Sequence, residues 1–114
     1  MLSSSNRLTE AADFRHTVRR GRRSGGSLVV AHLLEPNVDK AISSPPKVGF
    51  VVAKSVGSAV TRNRVKRRLR HLMRERIDSL PGGSLLVIRA LPSSAAASSR
   101  DLAGELDRCL GRRP

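Results

Sequence analysis

The stretch TRNRVKRRLRHLMRER, residues 61–76, puts eight cationic side chains and one acid into sixteen positions, yet keeps its apolar residues in register. Set out at about 100° per residue, Val65, Leu69, Leu72, Met73 and Leu80 gather within a sector of about 100°. Lys66, Arg67, Arg70 and Arg74, with Asn63, fall on the other side. The spacing predicts an amphipathic helix at about 60–80, greasy underneath and cationic on top. Such a helix cannot stand alone: its underside requires a core to cover it.

The rest of the chain supplies that core. At 114 residues it is one small domain, able to bury ~65% of its unfolded surface. SLVVAHLL (27–34), KVGFVVA (47–53) and LLVIRA (85–90) read as strands, and PGGS (81–84) as a turn. EPNVDKAISSPP between the first two strands reads as an exposed Pro/Ser loop. Thr9 is placed to cap a first helix that runs to Arg20 and stops at Gly21, with Ala11, Phe14 and Val18 as a thin apolar stripe. Ser98 with Asp101 resembles a capping box for a last helix, whose Leu102, Leu106, Cys109 and Leu110 share a face. Residues 1–7 are expected to be a loose, flexible tail and 8–114 one domain. Helices and strands in this order give an α+β fold with a single small sheet.

Charge sets the partner. Lys and Arg outnumber Asp and Glu by 22 to 9, for a net charge of +13, and a field of that strength draws polyanions. Eighteen of the 22 cations are Arg, whose planar fork matches phosphate. No apolar run spans a bilayer. The opening MLSSSNRLTEAADF lacks a signal-peptide core, and Cys109 is alone, so the chain is expected to be cytoplasmic with neither disulfide nor cysteine metal site. A solvated helix face normally interleaves acids; Lys66, Arg70 and Arg74 instead repel one another at i, i+4. Arg62 and Arg64 sit near the helix N-terminus, where the dipole disfavours cations but favours phosphate. Rules broken without local compensation mark function, here the binding of RNA or DNA phosphate.

Other functions fit less well. The chain has two Phe and no Tyr or Trp, so it lacks the multi-aromatic surface of sheet-based RNA readers. No heptads follow the basic run, which argues against a dimeric DNA-binding basic region. Asp101 and Glu105 share a helix face, as do Glu75 and Asp78. Asp101 is explained by capping and Glu105 by pairing on an exposed face, so catalytic residues and a protein-held metal are not expected.

Residues 54–70, KSVGSAVTRNRVKRRLR, resemble the signature of the bacterial ribonuclease P protein component: an Arg-Asn-Arg core (Arg62, Asn63, Arg64) followed by Val65, Lys66 and Arg67. DFRHTVRRGRR (13–23), VGFVVAKSVG (48–57), LLVIRA and the last helix resemble other family segments in the same order. The resemblance implies an α/β sandwich with a left-handed β-α-β crossover. It implies the protein subunit of an endoribonuclease whose RNA subunit, with Mg²⁺, removes the 5′ leader of precursor tRNA. No cofactor would be bound by the protein itself, and no small-molecule substrate or membrane is implied. The motif helix would face the catalytic RNA through Arg62, Asn63, Arg64, Lys66, Arg67, Arg68, Arg70 and Arg74. A cleft between the first helix and the sheet would take the leader, at Phe14, Val18, His32 and Lys54. Phe14 serves equally well as core. Thr17-Val18, His32, Lys54-Ser55 and Ser58 depart from the family pattern of Val-Phe, Tyr, Lys-Lys and Asn, thinning the aromatic and cationic contacts of that cleft. The alternative is a basic ribosomal or RNA-assembly protein, which would share charge and size but lack the cleft.

Overall fold

The computed structural model describes residues 2–36 and 44–111. Most of the expected Pro/Ser loop, residues 37–43, lies outside the described residues.

The three apolar runs form strands. Val29–Leu34, Lys47–Val52 and Leu85–Ala90 are β2, β3 and β4, and a shorter β1, Arg22–Gly25, precedes them. They lie in the order β1-β2-β4-β3. β2 pairs antiparallel with β1 and β4, whereas β3 pairs parallel with β4. The register aligns Ala31, Ile88 and Phe50 in one row and Arg23, His32, Val87 and Gly49 in the next. Because side chains alternate across a sheet, these two rows face opposite sides.

Three helices cover the two faces: α1 (Ala11–Arg20), α2 (Ala59–Arg74) and α3 (Ser99–Cys109). The Ala31 face carries the main core. Val29, Ala31, Leu33, Val48, Leu86 and Ile88 pack there against Val65, Leu69 and Met73 of α2 and Leu102, Leu106 and Cys109 of α3. Fully burying a side chain such as Leu69 contributes ~1.5–3 kcal/mol. α2 is the crossover that joins the adjacent parallel strands β3 and β4. The cationic helix is therefore fixed to the sheet from both ends.

α1 lies across β2 and β4 on the opposite face. Its anchor is Thr17, completely buried, with Oγ1 donating to the Asp13 carbonyl at 2.7 Å. The expected stripe is shifted by one position: Ala11 is exposed and Val18 is 39% exposed. Neither Thr9 nor the N-cap residue Glu10 caps the helix through its side chain, and the Phe14 amide bonds to the Glu10 carbonyl instead. Gly21 ends the helix as expected, but for space: a Cβ there would collide with the Thr17 carbonyl.

Three further expectations are corrected. α2 ends at Arg74, and Leu80, although buried, lies past a 3-10 turn at Ile77–Ser79. The break falls where Arg76 turns aside to pair with Asp107 of α3 at 2.7 Å while donating to the Leu72 carbonyl at 2.8 Å. Residues 2–8 are not a loose tail. Leu2 is buried in the core, Arg7 bridges Val48 of β3, and the Leu8 amide donates to the Val48 carbonyl at 3.0 Å. Glu105 is not on an exposed face: at 3% exposure its carboxylate accepts from the amides of Ser27, Leu28 and Val29 at 3.1, 2.7 and 2.5 Å. A side chain on Gly26 would occupy the position of that carboxylate. The N-cap bond of the expected capping box is present: Ser98 Oγ accepts from the Asp101 amide at 3.0 Å.

Candidate nucleic-acid interface

α2 starts where Ser58 Oγ accepts from the Thr61 amide at 3.3 Å. Gly57 before it has φ +154°, a backbone that suits glycine, and a Cβ there would press on Thr61 at 3.0 Å. With Val65, Leu69, Leu72 and Met73 buried, the helix period divides the cations into three rows. Arg62, Lys66 and Arg70 are half-buried along the flank towards the N-terminal segment. Asn63, Arg67 and Arg74 point outward and are exposed, with His71 beside them. Arg64 and Arg68 lie on the remaining flank, where they donate to the carbonyls of Ala95 and Ala97 at 3.4 and 3.0 Å.

The rows differ in what they leave free. Among the described residues, only Arg76 and Arg108 form ion pairs with acids. All the cations of α2 itself are thus without an acidic partner. Arg64 and Arg68 are partly engaged in holding the segment Pro92–Ala97 against the helix. Arg67 and Arg74 have no such task. The Nε of Arg62 is buried with no hydrogen-bond partner.

On the other face of the sheet, α1 and the strands border an open groove of about 600 Å³. Its floor is apolar, formed by Phe14 and Val18 of α1 and Val51 of β3, the two valines 39% and 38% exposed. Arg15 and Arg19 of α1 and Arg89 of β4 surround that floor. A rim of cations over an apolar floor suits a strand that offers phosphates on one side and bases on the other.

Of the four residues named for the cleft, Phe14 and Val18 line this groove. His32 does not: it is 4% exposed, beneath α1, and neither ring nitrogen has a hydrogen-bond partner. Burial first, then the charges of Arg89 and Arg23, hold its pKa below the ordinary 6.5. Lys54 is exposed in a 3-10 turn before α2 and is not part of the groove wall. Sequence reasoning passed over Arg15, Arg19, Val51 and Arg89. The signal was present for three of them, since Arg15 and Arg19 flank Val18 at i, i+4, and Arg89 interrupts an otherwise apolar strand.

Among the described residues, no three His, Cys, Asp or Glu side chains come together in a way that could hold a metal ion. No helix is long and apolar enough to cross a membrane.

Residues 2–113 match the model of the Ribonuclease P family. The chain is 55% identical over 114 residues to the ribonuclease P protein component of Nocardioides sp., covering 98% of this chain and 94% of that protein. It is 51% identical over 116 residues to the counterpart from Streptomyces avermitilis, with the same coverage of 98% and 94%. The chain belongs to the ribonuclease P protein family. Ribonuclease P protein folds agree with the architecture. The Staphylococcus aureus RNase P protein superposes with a TM-score of 0.79 at 20% identity over 93% of each chain. The Thermotoga maritima RNase P protein gives 0.75 at 21% identity, covering 95% of this chain and 97% of that one. Membership in the ribonuclease P protein family ties the chain to an endoribonuclease, to tRNA processing and to an RNA partner in a ribonucleoprotein. It sets aside the ribosomal-protein alternative.

Proposed function

We propose that this chain is the protein subunit of a cytoplasmic ribonuclease P, binding the catalytic RNA through α2 and the 5′ leader of precursor tRNA through the groove beside α1. The observation that carries this reading is the outward row of α2, where Arg67 and Arg74 stand exposed and without an acid partner on a helix whose other side is the protein's own core. Arg62, Lys66 and Arg70 extend that contact, and Asn63 supplies a neutral donor and acceptor within it. Arg64 and Arg68 contribute charge while keeping the Pro92–Ala97 segment in place.

The leader would lie along Phe14, Val18 and Val51 with its phosphates near Arg15, Arg19 and Arg89. Phe14 is the aromatic platform of that groove, and sequence-tolerant stacking on such a ring is worth about 1–3 kcal/mol per base. His32 and Lys54 act at one remove, His32 from beneath α1 and Lys54 from the turn that leads into α2. Hydrolysis, and the Mg²⁺ it needs, belong to the RNA partner. The protein's residues bind and position two RNAs, which raises the effective concentration of substrate at the catalytic RNA.

The test is to combine the purified chain with its RNA subunit and a precursor tRNA at low Mg²⁺ and compare cleavage with and without the chain. Faster cleavage or a lower KM in its presence is the expected result. An unchanged rate and KM would overturn the reading.

A further inference from the structure

A second cavity, of about 320 Å³, opens at the β3 edge of the sheet. Arg7 of the N-terminal segment, Phe14 of α1, Gly49 and Phe50 of β3, and Lys66 and Arg70 of α2 line it. Phe14 belongs to this cavity and to the groove beside α1, so its ring is the partition between them.

Three features of the lining point to one ligand class. Arg7, Lys66 and Arg70 converge on the cavity, and none forms an ion pair or side-chain hydrogen bond among the described residues. Gathering like charges without a counterion is unfavourable, so the arrangement suits an anion. Phe14 and Phe50, one from each face of the sheet, supply flat apolar walls. The strand edge supplies the third feature. The Leu8 amide reaches the Val48 carbonyl at 3.0 Å, so the polar groups of Val48 point away from β4. Alternate residues of a strand point their N–H and C=O to the same side. Phe50 therefore presents its N–H and C=O at the part of the edge that the N-terminal segment leaves uncovered. A donor and an acceptor side by side match the hydrogen-bonding edge of a nucleobase. The cavity is at the small end of ligand sites, too small for a duplex.

We propose that this cavity holds a single unpaired ribonucleotide, its phosphate against Arg7, Lys66 and Arg70, its base between the phenyl rings and the backbone of Phe50. The proposal rests on the RNA-binding reading above and adds Arg7, from outside the motif helix, to the residues that meet RNA. The nucleotide comes either from the catalytic RNA or from the precursor leader, which offer the same chemistry.

The probe is adenosine 5′-monophosphate, titrated into the isotope-labelled full chain and followed by amide NMR, with inorganic phosphate in parallel. The nucleotide is expected to shift the amides of Arg7 and Phe50, whereas phosphate alone leaves Phe50 unmoved. Arg7→Ala should weaken nucleotide binding about tenfold, the loss of one charge-assisted hydrogen bond, with Arg7→Lys retaining most of it and both variants melting like the wild type. Shifts confined to Val18, Val51 and Arg89, or an Arg7→Ala variant that binds like wild type, would overturn the pocket. Placing 4-thiouridine in either RNA then separates the sources: crosslinks to Arg7 or Phe50 from one RNA identify it. If both RNAs bind tightly and neither crosslinks there, the pocket is wrong and the RNA-binding reading stands. If neither RNA binds at all, that reading fails, and the nucleotide titration still decides the pocket.

Discussion

Glu105 and Leu28 are 77 positions apart in the chain and 2.7 Å apart in space. The contact belongs to a clasp in which one buried carboxylate takes three successive amides at the tip of the β1–β2 hairpin. Glu105→Ala would leave those amides without their acceptor, the Val29 amide in a fully buried position. The expected cost is about 2–4 kcal/mol, a fall in Tm of roughly 10 °C for a domain of this size. Glu105→Gln, which keeps an acceptor oxygen, should lose less than half as much. Thermal unfolding by circular dichroism measures both. A Glu105→Ala protein that melts like wild type would show the clasp to be energetically idle.

The arginines of α2 should separate by row. Arg67→Ala with Arg74→Ala removes exposed charge alone, so affinity for the catalytic RNA should drop while stability moves by no more than about 0.5 kcal/mol. Arg68→Ala also removes the donor to the Ala97 carbonyl, and should lower both RNA affinity and Tm. Filter binding alongside thermal melts would reveal the difference; identical profiles for the two proteins would erase the distinction.

Salt offers a check that needs no mutation. If six or more phosphates are engaged, affinity for the RNA partner should fall by about 10³-fold or more between 50 and 200 mM salt. A response nearly independent of salt would mean that charge is not what holds the complex.

Phe14→Ala should weaken binding of leader-bearing precursor by about 5- to 100-fold, the value of stacking one base on an aromatic ring. Mature tRNA, which has no leader, should be bound almost as before. Equal losses for both RNAs would remove the leader from the groove.

His32 gives the fold an acid limb. Its pKa is held below the ordinary 6.5 by burial and by Arg89 and Arg23, so the folded protein resists taking up a proton that the unfolded chain accepts. Its contribution is therefore intact above about pH 6.5 and lost progressively as pH falls towards the depressed value. His32→Phe removes that dependence. Denaturant melts from pH 7.5 to 5 should slope downward for the wild type and less steeply for the variant. Parallel curves would contradict the assignment.

Much of this was legible from residue patterns. β2, β3 and β4 announce themselves as apolar runs, and α2 by Val65, Leu69, Leu72 and Met73 recurring on one side. β1 was not legible, because Arg22, Arg23 and Ser24 carry no apolar alternation; the strand exists because its backbone pairs with β2. The role of Glu105 was hidden for a related reason. Its partners are amides, which every residue possesses, so no sequence pattern marks them. The same holds for Arg64 and Arg68, whose acceptors are carbonyls of an Ala/Ser-rich segment. The helix with a continuing apolar period stops at Arg74, where Arg76 leaves to pair with Asp107, a contact that no sequence pattern marks. The groove was half visible: its apolar members follow from Phe14 and Val18, while Arg89 joins them only once β4 is known to lie beside β3.

The ring of Phe14 rests on bare backbone, and a Cβ on Gly49 would overlap it. One methyl group on the edge strand β3 would thus push aside the wall shared by two surface cavities without touching any arginine. Genetic screens for defective alleles should recover Gly49→Ala as a lesion that behaves like loss of the aromatic itself, in a protein whose charge is untouched.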